Sequence, residues 1–365
     1  FPGHSPGPQS VHEYAPAVKE FNLRMAAATG SSEFFLPEYP AQGESENYFL
    51  ALEGCEVRGG YILRRQEFSV RGRIIRLAHY RQPVSEGTWN RAYAGVGPQM
   101  LRAALAEEPL LFALGMGGSE FALPRMLRAM RWRLLPVPFY FKVLDVGRFL
   151  REIRLLRENR GRQLAAEAAR VTGTGWLAIR AAQRLAAMRR RKTDCEVEQF
   201  RGFGGWADEI WERAHSRYAL VGVRDSRALN QLYPASHGRF LGLKVSRGGR
   251  TIGWAIALDT EMRDHRHFGN LRVGTIADCM ALPEDAEAVA AAAEQFLRER
   301  GCELLVSNQA HRAWGNALGA CGFLRGPSNF VFAAASKLAE LLEPFEATFS
   351  EMHLNRGDGD GPIHL

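Results

Sequence analysis

The 365-residue chain lacks any apolar run near the roughly 20 residues that a membrane-spanning helix needs. It also lacks the apolar core of a secretory leader, so the expected location is the cytoplasm. Cysteine is sparse: Cys55, Cys195, Cys279, Cys302 and Cys321 never form a CxxC pair. An odd, unpatterned set excludes a disulfide framework and a zinc site, and no metal is expected. Aromatic residues are few around the most basic stretch, from Arg148 to Lys192, which argues against the stacking platforms of single-strand nucleic-acid binders. What is present is globular. Hydrophobic residues make up 46%, enough for a sizeable core, and the net charge is +7. At this length two or three domains are expected.

The chain repeats a pattern. Phe49-Leu50-Ala51-Leu52 runs into Arg58-Gly59-Gly60-Tyr61-Ile62-Leu63, and Phe240-Leu241-Gly242-Leu243 runs into Thr251-Ile252-Gly253-Trp254-Ala255-Ile256. Each copy continues as strand, helix, strand, helix and aromatic strand. Before its first such helix, copy one carries Tyr93-Ala94-Gly95-Val96-Gly97-Pro98. Copy two has Met280-Ala281-Leu282-Pro283-Glu284-Asp285, without glycine.

Periodicity fills in the elements. A helix is expected over 11–30, with Val18, Phe21, Leu23 and Met25 as its apolar positions. In copy one, strands are expected over 48–52, 59–66, 74–80, 110–114 and 137–143, with helices over 98–106 and 122–132. Residues 149–191 read as a helical connector broken at Thr172-Gly173-Thr174-Gly175. In copy two, strands are expected over 240–245, 251–258, 274–280, 303–307 and 329–334, with helices over 206–214, 284–300 and 310–320. The domains follow: a disordered start (1–10), a first domain (11–147), a basic connector (148–195), a second domain (196–345) and a tail (346–365). The fold class is α/β (α+β), with mixed central sheets. The RGDGDG run at 356–361 lacks the last acidic ligand of a calcium loop and reads as a solvated tail.

A glycine turn between a strand and a helix aims backbone N–H groups and the positive end of the helix dipole at an anion. Taken with the order of elements, this pattern resembles the GNAT acyltransferase fold, doubled, in the neighbourhood of the peptidoglycan aminoacyltransferases of the Fem type. Cys321-Gly322-Phe323 matches a frequent feature of that family, and the segment from Arg224-Asp225 to Tyr233-Pro234 resembles GNAT-like proteins encoded with bacterial surface-polysaccharide genes. The resemblance implies acyl-coenzyme A as co-substrate, held by Arg91, Tyr93, Ala94, Gly95, Val96, Gly97 and Pro98. It implies an amine acceptor on a small molecule, a cell-surface polysaccharide or a lipid-linked precursor. The Fem likeness implies an alternative, aminoacyl transfer from a charged tRNA. A third reading is a non-catalytic module that binds a metabolite or partner. The family's loop carries Arg or Gln where this chain has Ala92, and its tyrosine acid is replaced by Met126 or Leu127.

Acyl transfer to an amine needs a base, an N–H that polarises the thioester carbonyl, and an acid for the thiolate. Glu86 is the expected base, His79 the second choice and Tyr80 the expected acid. Ser85, beside them, is expected to bind substrate. Asp278, Asn308 and His311 end the central strands of copy two and are expected to line an acceptor pocket.

Overall fold

The computed structural model describes residues 11–30, 35–38, 46–117, 121–153, 174–187 and 194–359. The expected disordered start, Gly118, connector residues 154–173 and 188–193 (with the break at Thr172-Gly173) and tail residues 360–365 lie outside that set. The chain forms two compact units, and neither is a continuous stretch. Unit 1 comprises Phe1–Phe68, Ile74–Pro136 and Asn329–Glu346. Unit 2 comprises Ser69–Arg73, Val137–Ser328 and Ala347–Leu365.

In unit 1, strands β1 (Glu46–Glu53), β2 (Glu56–Val70), β3 (Arg73–Ser85), β4 (Leu111–Gly115) and β5 (Arg133–Pro136) join one mixed sheet with a strand from the end of the chain, β14 (Val331–Ala334). β14 lies antiparallel between β4 and β5. Helix α1 (Val11–Thr29) buries Val18, Phe21 and Met25 against Leu50, Val57 and Ile62 on one face. Leu23 falls off that stripe and is 63% exposed, because the 3.6-residue period selects positions three and four apart. Helices α2 (Val96–Glu107) and α3 (Ala122–Ala129) cover the other face through Val96, Met100, Leu101, Ala104 and Leu127.

Strand β6 (Phe139–Val143) leaves β5 after two residues and pairs in unit 2. The sequence suggests one strand over 137–143; it begins at Phe139, after Pro136 and Pro138, residues that cannot donate to a ladder. β6 lies between β12 (Leu304–Asn308) and β13 (Leu324–Gly326). Beyond β12 come β11 (Arg272–Ala281), β10 (Arg250–Glu261), β9 (Leu241–Arg247) and β7 (Glu196–Phe200). Each unit thus takes an inner strand of its sheet from the other half of the chain. Lys142 secures the transferred strand: its Nζ donates to Glu294 Oε1 (2.9 Å) and to the Cys321 carbonyl (2.7 Å). Helices α4 (Val146–Glu152) and α5 (Thr174–Ala187) follow β6, and α6 (Gly205–Ala214), α7 (Ser226–Leu232), α8 (Ala286–Glu299) and α9 (Arg312–Ala320) complete unit 2. Among the described residues no helix is long and apolar enough to cross a membrane.

The end of the chain departs from expectation. Residues 352–358 are not a solvated tail: Met352, His353, Leu354 and Asn355 are fully buried, and Asp358 is nearly so. Strand β15 (Met352–His353) pairs in parallel with β8 (Leu220–Gly222). His353 meets the rings of Tyr218 and Trp314 edge-on.

Two predictions follow from this packing. Phe332 of β14 is buried against Phe112 and Phe345, and Phe332→Ala should cost about 3–5 kcal/mol in urea unfolding. Burial lowers His353 to about 4; burial, then the neighbouring His353 and Arg312, lower His311 to about 3. Both stand near 6.5 in an unfolded chain, so between pH ~6.5 and ~4 the unfolded state binds more protons. Stability should fall as pH falls through that window, by about 1 kcal/mol per unit for each histidine, and level off below the folded values. His353→Phe should flatten the fall; a midpoint as pH-sensitive as the parent's would contradict the assignment.

Candidate functional site

β3 and β4 form the central parallel pair of unit 1. They pair only at Ala78–Leu111 and His79–Phe112, and beyond those residues they part. Gln82, in β3 just past the parting, takes φ 44°, a left-handed value that costs a non-glycine residue about 1 kcal/mol. Such an outlier inside a strand re-aims the segment after it. The glycine run after β4 also turns left-handed, at Gly115 (φ 109°), Met116 (φ 61°) and Gly117 (φ 72°). β4 keeps its antiparallel partner β14 as far as Gly115, so its open edge faces the gap.

The stretch Pro83–Tyr93 is the end of β3 followed by two 3-10 turns, Glu86–Thr88 and Arg91–Tyr93. Helix α2 then starts at Val96, and Gly95 before it brings no side-chain cap. Arg91, Ala94 and Gly95 are exposed, Tyr93 and Pro98 half-buried, Val96 and Gly97 buried. Gly95 has ordinary helical angles, and a Cβ there would meet only Gln99 Nε2 at 3.6 Å. Its bare surface is therefore not needed by the fold. Gly87 is different, since a Cβ would overlap the backbone of Tyr93 and Ala94. That close approach seats the loop, and the sequence marks it only as a glycine in a polar turn.

Glu86 anchors the same loop from beneath. It is 5% exposed. Arg58 Nη1 donates to Oε2 at 3.1 Å, Asn90 Nδ2 donates to Oε1 at 3.1 Å, and Arg24 lies 3.6 Å away. Both carboxylate oxygens are thus engaged. Arg58 also pairs with Glu53 and Glu56 and lies 4.3 Å over the Tyr93 ring, while Tyr93 OH donates to Glu53. Arg58 is the hub of the loop, and its sequence signal, an Arg before a glycine pair, is weak. Ser85 Oγ accepts from Gly87 N and lies 3.7 Å from where a Gly97 Cβ would stand.

His79 and Tyr80 are adjacent on β3, so they point to opposite faces. His79 stacks on Phe112 at 4.6 Å. Burial, helped by Arg64 and Arg81, holds its pKa well below the usual value, and Nδ1 has no partner among the described residues. Tyr80 lies in the core beneath α2, first after the last paired residue, beside Tyr61 at 5.0 Å. Neither phenol has a hydrogen-bond partner among the described residues, and burial pushes the Tyr80 pKa well up. Buried hydroxyls normally find partners, so an orphan at this point marks a place for one.

In unit 2 the equivalent pair is β11 and β12, matched from Val273–Leu304 to Ile276–Ser307 and then parting. Asp278 is fully buried and fully engaged. Arg224 Nε (2.9 Å) and Tyr233 OH (2.6 Å) donate to Oδ2; Asn355 Nδ2 and Cys279 N (both 2.8 Å) donate to Oδ1. Asn308 is buried, with Nδ2 at 3.5 Å from the Val137 carbonyl. His311 caps α9, its Nδ1 accepting from Ala313 N. Arg224, Asp225, Asn230 and Tyr233, from the segment with the surface-polysaccharide resemblance, are spent on hydrogen bonds inside unit 2.

No family model and no curated protein matches the sequence. Solved structures do. A GCN5-related N-acetyltransferase from Anabaena variabilis is similar with a TM-score of 0.53 at 9% identity, over 93% of this chain and 74% of that one. A conserved protein of unknown function from Enterococcus faecalis, described as a probable N-acyltransferase, gives 0.52 at 9% identity over the same shares. Saccharomyces cerevisiae N-myristoyltransferase with bound myristoyl-CoA gives 0.47 at 11% identity, over 80% of this chain and 67% of that one. At these identities the likeness is one of fold: the chain shares the two-domain, mixed-sheet α/β architecture of GNAT proteins.

Proposed function

We propose that the protein is an N-acyltransferase that moves an acyl group from acyl-coenzyme A to an amine, with the donor held in unit 1. One observation carries this reading: the uncapped, glycine-bare start of α2 follows, after two 3-10 turns, the strand that parts from β4 and that carries the orphan Tyr80 hydroxyl. The first-turn N–H groups and Arg91 receive the pyrophosphate. The amide-bearing arm lies along the open strand edges. The neutral amine attacks the thioester carbon; the C–N bond forms, the C–S bond breaks, and coenzyme A leaves as the thiol with the proton the amine sheds. Burial keeps Tyr80 protonated, so its O–H donates to charge developing on the thioester. Glu86, with Arg58, holds the loop. The amine acceptor of a surface glycan or lipid-linked precursor rests on the resemblance of 224–234, and a panel of amines in a thiol-release assay decides it.

Gly95→Ala should leave the unfolding midpoint unchanged, since the Cβ meets open space on the protein side. It should weaken coenzyme A binding by calorimetry at least about tenfold, or ~1.4 kcal/mol. Unchanged affinity would sink the loop assignment. Tyr80→Phe should lower kcat roughly 10²-fold with little change in KM for the donor. A chain that binds coenzyme A but turns over no acyl donor would favour the non-catalytic reading, and transfer only from aminoacyl-tRNA, falling steeply with salt, the Fem-like one.

A further inference from the structure

The openings of the two units differ in what lies inside them. Unit 2 parts its central pair after Ile276–Ser307, as unit 1 does after His79–Phe112. In unit 2 the chain's own C-terminal segment spans the gap. Leu354 O accepts from Ala310 N (3.0 Å), just beyond β12. On the side of β11, Asn355 Nδ2 donates to Asp278 Oδ1. Arg224 bridges Asp278 to Asp358, with Nη2 2.6 Å from Asp358 Oδ1. Asp358 Oδ2 accepts from Asn355 N (3.0 Å), and Gly357 N donates to Asn355 Oδ1 (2.9 Å), so the segment also caps itself. Gly357 fits because it is bare: a Cβ would lie 2.5 Å from Asp278 Oδ2 and overlap the Tyr233 hydroxyl.

We propose that residues 352–358 act as an internal ligand of unit 2, occupying the opening that in unit 1 receives the donor, so that the chain takes one acyl-coenzyme A rather than two. A peptide segment suits such an opening because its N–H and C=O groups, like those of an amide-bearing arm, pair with parted strand edges. The helix behind the opening agrees. α8 begins after Pro283–Asp285, with Glu284 and Asp285, paired with Arg217 and Arg247, and Glu287 at its start; side chains occupy the space before this helix, where the start of α2 has no acid and no capping side chain. Removing the segment would take Asn355 from Asp278 and Asp358 from Arg224, leaving a buried pair that still holds each other but has lost a partner on each side. That loss makes the occupant resident.

The count of one rests on the acyl-coenzyme A reading of unit 1; the occupancy of unit 2 does not. Calorimetric titration of the full chain with coenzyme A should give one site, and Gly95→Arg should abolish it. Two sites, or a site that survives Gly95→Arg, would overturn the proposal. Absence of all binding would instead overturn the function proposed for unit 1. Hydrogen exchange then decides unit 2 alone. Amides of 353–358 should exchange as slowly as those of β11, and Gly357→Ala should speed them at least about tenfold. Exchange in the parent chain at the rate of a free peptide would overturn the proposal, whether or not the variant folds.

Discussion

A parallel pair of strands that parts leaves two rows of backbone N–H and C=O groups facing a gap, and buried groups of this kind must find partners or cost several kcal/mol in all. Both units are built around such a parting. Much of the remaining architecture follows from it. The strand on the far side of β4 comes from the end of the chain and covers one edge only, leaving the other facing the gap. The strained backbone at Gln82 and the left-handed run at Gly115–Gly117 flank the opening on the two strands. In unit 2 the same need is met from within, by a segment whose polar side chains complete the partners of Asp278 and Arg224.

The electrostatics of the two helix starts separate the units further. A helix N-terminus behaves as roughly half a positive charge. At α8 acids stand at the helix start, and two of them, Glu284 and Asp285, are paired with Arg217 and Arg247. At α2 no acid stands in the first turn. The acids near the loop, Glu53, Glu56 and Glu86, are gathered onto Arg58.

Most elements were legible in the sequence because each rests on local periodicity. The helix over 98–106 and the strands over 251–258 and 274–280 lie within the observed α2, β10 and β11. The strand exchange was not legible. β5 and β6 are both short and apolar, and nothing in either names a partner more than 150 residues away in the chain. The end of the chain misled for a related reason. Arg356-Gly357-Asp358-Gly359 has the composition of a solvated turn, and its burial depends on Arg224 and Asp278, which no local pattern connects to it. The glycines of the loop were visible, but their support was not. Arg58 and Gly87 act through contacts with residues from other elements.

Two separate polypeptides that traded inner strands would be a domain-swapped dimer, held together only above some threshold concentration. Here the traded strands are β6 and β14, and both partners belong to one chain. Covalent linkage turns that association into an intramolecular one, with an effective concentration that dilution does not change. It also removes a freedom: cutting the chain between β6 and β14 into two halves would yield two fragments, each carrying a strand that the other's sheet needs.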